Sequence, residues 1–351
     1  MKKTVAILTA LTLLLATGCS NTSASSSAPA AAPEGQAGSS AAAPANTEVI
    51  KINFATNQPA THIVGQAYQG LVDELNELGG GRIEAKAYFS EQLGTEKELV
   101  DMTSNNINDV LCAPGPSELS TRYAPLMIFD APYVFRSPEH MLAFANGEAS
   151  QEIWDTFAKE KNLRVLGTYY FGRRYLTTKG VDVKTPDDLK GFKLRVIDAP
   201  ISLATGKALG ANPTPLAYSE LYLALQQKIV DGQENPLANI LSAKFYEVQD
   251  RLILTGHVTA AVCFAISEEK WQSFPDDIKE IVQTAVDHAV VNASKAIQDS
   301  EDAQMKELES YGMTIIEPDL EAFRKNAYSV IEEFQDTWGP DLYDLVQSVK
   351  E

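Results

Sequence analysis

Cysteine is scarce in this chain, with three in 351 residues and none in a Cys-x-x-Cys or Cys/His spacing, so neither a disulfide framework nor a zinc site is expected. Histidine is equally sparse, and His62, His140, His257 and His288 stand too far apart to form a ligand cluster. There is no Gly-x-Ser-x-Gly, no His-Glu-x-x-His and no Gly-rich phosphate loop. Ser267-Glu268-Glu269-Lys270 formally matches Ser-x-x-Lys but lacks the partner motifs of that nucleophile family, and serine before glutamate reads more simply as a helix cap. No cofactor or metal is therefore expected. Positive charge is also in deficit: 29 Lys+Arg against 47 Asp+Glu leaves −18, which argues against a nucleic-acid partner. What is present, 44% hydrophobic and 22% charged residues, is the composition of a globular protein of about two domains.

Lys2 and Lys3 precede an apolar run at residues 5–17, the order of a secretory signal and too short to span a bilayer. The run ends at Ala16-Thr17-Gly18-Cys19, which resembles a bacterial lipobox, although Ala16 stands where leucine is commonest. Residues 1–18 are expected to be a lipoprotein signal peptide and Cys19 the lipid-bearing first residue; the alternative is an ordinary cleavage site beside a cysteine. Residues 20–47 contain only Ser, Ala, Pro, Gly, Thr, Asn, Gln and Glu34. Nothing there can nucleate a core, so 19–47 is expected to be a flexible tether of roughly 30 Å span holding the body near the outer face of a membrane.

From Val49 onward short β-rich runs alternate with helical stretches. Strands are expected at 49–54, 83–89 and 109–113, and helices at 63–78 and 96–104, giving a β-α-β-α-β lobe. A helical region at 138–161 leads into a strand at 163–171, and a strand at 192–197 opens a second α/β unit. Its entry, Thr185-Pro186-Asp187-Asp188-Leu189, is a variant capping box. Helices at 200–209, 218–229 and 237–248 and strands at 251–256 and 261–267 should follow. Residues 275–311 carry Ile278, Ile281, Val282, Ala285, Ala289 and Val290 at helical spacing, which predicts one helix of over 30 residues, long enough to run along both lobes. A short strand at 313–316 and two terminal helices complete the chain.

Three local features carry chemistry. Tyr169-Tyr170-Phe171-Gly172-Arg173-Arg174-Tyr175 packs four aromatics and two guanidinium groups into seven residues. That suits a ring-shaped anion, since an arginine fork matches a carboxylate and an aromatic face packs on a sugar; a solvated arginine pair beside core aromatics is the bland alternative. Arg195, in mid-strand on the face opposite Leu194 and Val196, wants a partner that is either a ligand or a structural acid. Asp231-Gly232-Gln233-Glu234-Asn235-Pro236 reads as a polar loop before a helix. Cys112 and Cys263 lie in apolar strands and read as inert buried thiols.

Several ordered motifs then resemble the substrate-binding proteins of tripartite ATP-independent periplasmic (TRAP) transporters. They are Gly-Arg-Arg-Tyr-Leu-Thr-Thr from Gly172, Asp188-Leu189-Lys190-Gly191-Phe192-Lys193-Leu194-Arg195-Val196, Gly210-Ala211-Asn212-Pro213-Thr214-Pro215, the run from Tyr218 to Gln226, Val230-Asp231-Gly232-Gln233-Glu234-Asn235-Pro236 and Lys244-Phe245-Tyr246-Glu247-Val248. A weaker likeness covers the rest of the body. The resemblance implies a two-lobed α/β flytrap of the periplasmic-binding-protein type bridged by a long helix. Lobe I would be 48–170 plus about 258–298, lobe II 171–257 plus about 299–325, and 326–351 C-terminal helices. It implies no reaction of the chain's own, a small carboxylate ligand, and delivery to a small and a large integral membrane subunit. Arg195 would clamp the carboxylate, with Arg174 as second cation and Asn235, Glu96, Tyr218 and, more loosely, His62 as further contacts. The Arg-Arg-Tyr segment and Asp198-Ala199-Pro200 lean toward a hexuronate such as glucuronate or galacturonate over a C4-dicarboxylate. The alternatives are a uronate-processing lyase or hydrolase with Glu96 or Glu234 as base, and a sensory binding protein with the same pocket.

Overall fold

Alternation in Ile50-Lys51-Ile52-Asn53-Phe54-Ala55 buries Ile52 and Phe54 on one face and forms β1 (Ile50–Ala55). The helix Gly65–Gly79 follows, burying Tyr68, Leu71, Val72 and Leu75 at helical spacing and ending at a left-handed Gly80. The remaining strands are β2 (Ile83–Tyr88), β3 (Val110–Cys112), β4 (Leu163–Thr178), β5 (Lys193–Val196), β6 (Asn212–Pro215), β7 (Gly232–Asn235), β8 (Arg251–Ser267) and β9 (Thr314–Ile316). This computed structural model describes residues 49–351; the expected signal peptide, Cys19 and the linker lie outside the described residues.

The strands join in the order β2-β1-β3-β8-β4-β7-β5-β6, with β9 beside β8. β1 runs parallel to β2 and β3, and β5 runs parallel to β6 and β7. Between these two parallel sets lie β4 and β8, antiparallel to each other from Leu163↔Ser267 to Thr178↔Arg251. At one end β8 pairs with β3; at the other β4 pairs with β7, and β8 with β9. Both long strands therefore belong to both lobes.

Each lobe has its own core. In the first, Phe54, Tyr68, Tyr169 and Phe264 pack ring on ring. In the second, the sheet is covered on both sides, and alternation sends Ile253 to a cluster with Leu176, Leu194 and Phe323 and its neighbour Leu252 to one with Leu221, Leu237 and Phe245. The helix Asp276–Ser310 has 35 residues, about 52 Å at 1.5 Å per residue. Its Ile278, Val282 and Ile297 enter the first lobe's core and its Leu308 the second's, so one rod spans both.

Several sequence expectations need correction. The strands expected at 251–256 and 261–267 are one strand, and the strand expected at 163–171 continues to Thr178. Each contains a glycine with positive φ near the crossing, Gly172 at 110° and Gly256 at 53°, which mimics a turn in sequence although the ladder continues past it. At Gly172 a Cβ would also sit 2.9 Å from Pro236 Cβ. The segment 231–236 is not a loop, because Gly232–Asn235 is the buried strand β7. The helix expected at 218–229 is a 3-10 turn, Tyr218–Glu220, followed by the short helix Leu221–Gln226. The one expected at 237–248 stops at Ser242, before a 3-10 turn at Phe245–Glu247. The terminal helix Leu320–Trp338 runs through the boundary placed at 325/326.

Candidate functional site

The carboxyl ends of the parallel strands in the two lobes face one cavity of about 290 Å³, the place where open α/β sheets carry ligands. Lobe I contributes Asn57 and Gln58 after β1, Gly115 and Ser117 after β3, and Glu96 from the start of the helix Glu96–Ser104. That helix is fixed by a capping box, Thr95 with Glu98, which leaves Glu96 free to turn inward. Lobe II contributes Arg195 from β5, Asp198 just beyond it, Tyr218, Asn235 at the end of β7, and Asn239. Arg174 enters from the crossing strand β4.

Arg195 is 3% exposed. Its Nε and Nη2 donate to Leu216 O at 3.1 and 2.8 Å, which fixes one edge of the guanidinium, and no carboxylate among the described residues pairs with it. Burial without a counter-charge pulls its pKa down to about 10. Arg174, equally buried, is differently placed. Its Nε bonds Glu234 Oε2, its Nη2 donates to Glu234 Oε1 at 2.9 Å and to the Glu234 carbonyl at 2.8 Å, and Asn235 Oδ1 lies at 3.4 Å. Burial works against both charges of that pair, yet mutual attraction outweighs it, holding Glu234 well below the usual carboxylate range and raising Arg174. His257 Nε2 stands 3.3 Å from the same carboxylate, at ion-pair distance but without hydrogen-bond alignment. Thus Arg195 is the guanidinium without a carboxylate partner, whereas the Nε/Nη2 edge of Arg174 is taken by Glu234 and its charge is already countered.

A chain of amides supports this arrangement. Asn235 Nδ2 donates to Gln233 Oε1 at 2.5 Å, Gln233 Nε2 to Thr177 Oγ1 at 2.9 Å, and Asn239 Nδ2 to Asn235 Oδ1 at 3.3 Å. His62 does not line the cavity. It stacks on Phe171 at 5.5 Å and sits 3.1 Å from Asn239 Oδ1, while its Nδ1 accepts from Val64 N. That fixes the proton on Nε2, so His62 donates to Asn239 and orients it. Burial lowers its pKa to about 4, partly offset by that bond, so it is neutral at pH 7. Tyr218 lines the cavity with its phenol pushed by burial to about 12. Gln58 Oε1 is buried and unpartnered, an acceptor waiting for a donor.

Glu96 accepts from Gly115 N at 2.8 Å and from Asn57 Nδ2 at 3.0 Å. Burial nonetheless lifts it to about 7. Its carboxylate is walled in by protein but looks onto the cavity, so some water reaches it. Below pH 4.5 the group is protonated folded or unfolded; above 7 only the folded state is burdened by a desolvated charge, so stability falls as pH rises through this window. Glu96→Gln should therefore stabilise the empty protein at pH 8 by on the order of 2 kcal/mol, after discounting for cavity water, and change nothing at pH 4. Urea unfolding at the two pH values measures this, and an equal effect at both would remove the titration from Glu96.

Sequence reasoning missed Asn57, Gln58, Ser117, Asp130 and Asn239. Asp130, which accepts from Ser117 Oγ at 2.7 Å and is raised by burial to about 6, has no local signature. Asn239 did have one, standing four residues after Asn235 on the helix that β7 feeds. Among the described residues no three His, Cys, Asp or Glu side chains gather as a metal site, and no helix is long and apolar enough to cross a membrane.

The sequence profile described as "Bacterial extracellular solute-binding protein, family 7" matches residues 54–337. The chain is 35% identical over 273 residues to the sialic acid-binding periplasmic protein SiaP of Vibrio cholerae, covering 78% of this chain and 84% of that one. A TRAP periplasmic solute-binding protein of Roseobacter denitrificans, solved with bound 3-deoxy-D-manno-oct-2-ulosonic acid, superposes with a TM-score of 0.81 at 30% identity, covering 86% of this chain and all of the other. One from Chromohalobacter salexigens, with bound D-glucuronate, gives 0.79 at 25% identity over 85% and 98%. With its two lobes joined by shared strands and a spanning helix, and its cavity at the strand ends between them, the chain belongs to family 7 of the bacterial extracellular solute-binding proteins, the TRAP type.

Proposed function

We propose that this protein is the receptor of a TRAP transporter for a singly charged, polyhydroxylated sugar acid of the hexuronate type, which it captures and hands to a small and a large membrane subunit. The observation that carries this reading is the buried guanidinium of Arg195, aimed into the cavity without a counter-charge of its own. A C4-dicarboxylate brings a second negative charge, for which the cavity offers Arg174, already committed to Glu234, and the exposed Lys97. Around Arg195 stand groups suited to hydroxyls: Asn57, Gln58, Glu96, Asn235 and Asn239. The acids named for the three relatives each combine one carboxylate with several hydroxyls. Arg195 would take the carboxylate and Asn235, Glu96 and Tyr218 the rest of the ring, with His62 acting through Asn239.

Capture would close lobe I, 48–170 and about 258–298, on lobe II, 171–257 and about 299–325, about the crossing strands, presenting both lobes to the membrane subunits in one geometry. The sequence before the body supports a lipid anchor at Cys19. A hydrolase or lyase reading loses one of its bases, because the Arg174 guanidinium pairs with Glu234 and holds it below the usual carboxylate range, too weak a base at neutral pH.

The test is a thermal-shift screen against glucuronate, galacturonate, galactonate, succinate and malate. A uronate at 100 times its Kd should add about 2.7 kcal/mol of stability, with no comparable response to succinate or malate. Stabilisation by the dicarboxylates alone would overturn the assignment.

A further inference from the structure

We propose that the face of the crossing strands opposite the ligand cavity carries a second anion site, a groove whose floor is Arg173 and which takes a small organic anion with a carboxylate or phosphate head and a flat apolar body. Arg173 and Arg174 are consecutive in β4, so their side chains leave opposite faces of the sheet. Arg174 lines the front cavity and Arg173 a separate one of about 530 Å³. The rear groove is built from 132–136, from Arg173 and Tyr175 of β4, from Leu254, Thr255, Gly256 and Thr259 of β8, and from the C-terminal helices.

Its chemistry is the reverse of the rest of the chain. In a protein of formal charge −18, the groove is lined, among the described residues, by Arg136, Arg173 and Arg324 and by no Asp or Glu. The two rim arginines are held in place. Arg136 donates to the carbonyls of Gln347 and Val349 at 3.2 and 2.8 Å with Glu351 at 3.7 Å, and Arg324 pairs with Glu321 while lying 5.6 Å over the Tyr133 ring. The half-buried Arg173 side chain has no hydrogen bond or ion pair among the described residues, which leaves its full fork for a ligand. The walls are Tyr133, Tyr175, Tyr328 and Tyr343, faces on which a flat group packs.

A further sign of a built site is the backbone of Tyr133, at φ 56°. An aromatic residue in the left-handed region is strained, and such strain gathers at ligand sites. Here it is held by Tyr133 N donating to His257 O at 2.7 Å and by the Tyr133 hydroxyl donating to Thr255 O at 3.1 Å, so the ring is clamped to β8. An occupant would grip the strands that join the lobes, so its affinity and that of the front ligand should be linked.

The experiment is calorimetric titration of the full chain with phenyl phosphate, a probe with one anionic head and one ring, on the wild type, Arg173→Gln, Arg324→Gln and Arg195→Gln. The expected result is one equivalent bound by the wild type and by Arg195→Gln, with affinity at least tenfold weaker in Arg173→Gln and weaker also in the exposed Arg324→Gln. No binding by the wild type at millimolar probe overturns the proposal. So does binding lost in Arg195→Gln but kept in both rear variants, which would place the probe in the front cavity. Because front and rear variants are read separately, failure here leaves the sugar-acid assignment standing, and the reverse also holds.

Discussion

Arg195→Lys should weaken capture of the sugar acid at least tenfold, and Arg195→Gln by a hundredfold or more, while the empty Arg195→Gln protein becomes more stable than the wild type. The first effect follows from geometry. Leu216 O holds one edge of the guanidinium, so the other edge meets the ligand as a preset planar fork. Lysine has one compact ammonium and cannot satisfy both sides. Each charge-assisted bond lost is worth about 1.5 to 3 kcal/mol, and about 1.4 kcal/mol is a factor of ten. The second effect follows from burial: a pKa drawn down to about 10 marks a charge that the empty fold bears at a cost of a few kcal/mol. Calorimetric affinity and urea unfolding of the unliganded variants measure the two effects. Unchanged affinity would sink the clamp role; lower empty-state stability would sink the account of an unpaired charge.

Arg174→Met should behave in the opposite way, destabilising the fold by about 3 to 5 kcal/mol because it leaves Glu234 buried without its partner. The double variant Arg174→Met/Glu234→Leu should recover most of that loss, since removing both charges also removes both desolvation penalties. A double-mutant cycle in chemical denaturation reads the coupling directly. Additive losses would mean that the two residues do not act as a pair, and Arg174 would again be a candidate for the carboxylate.

The contrast between these two arginines marks how far sequence reasoning reaches. Arg195 was identifiable because strand alternation sets it against Leu194 and Val196, a pattern local to four residues. The partner of Arg174 lies 60 residues away on a strand whose Gln-Glu-Asn sequence has no apolar alternation. β7 is a strand because neighbours on both sides supply its ladder bonds and its amides satisfy one another, and neither cause is local. The helix Asp276–Ser310 and the capping box at Thr185 and Asp188 were legible because each rests on residues close in sequence. β6, Asn-Pro-Thr-Pro, was not, since two prolines are tolerated in a strand only at a sheet edge, and edge position is a fact of topology. His62 was located but not its role, which depends on Asn239, 177 residues away.

The pairing of β8 with β3, β4 and β9 has a consequence for how the chain is made. Neither half is a separable folding unit: the sheet cannot be completed until residues 251–267 have been synthesised and have found partners as distant in sequence as Leu111 and Ile315. Loop closure over such separations makes folding slow. A polypeptide whose sheet stays incomplete until about nine-tenths of it has emerged is suited to export, because it gives a translocation channel time to thread it before the finished fold locks it on the wrong side.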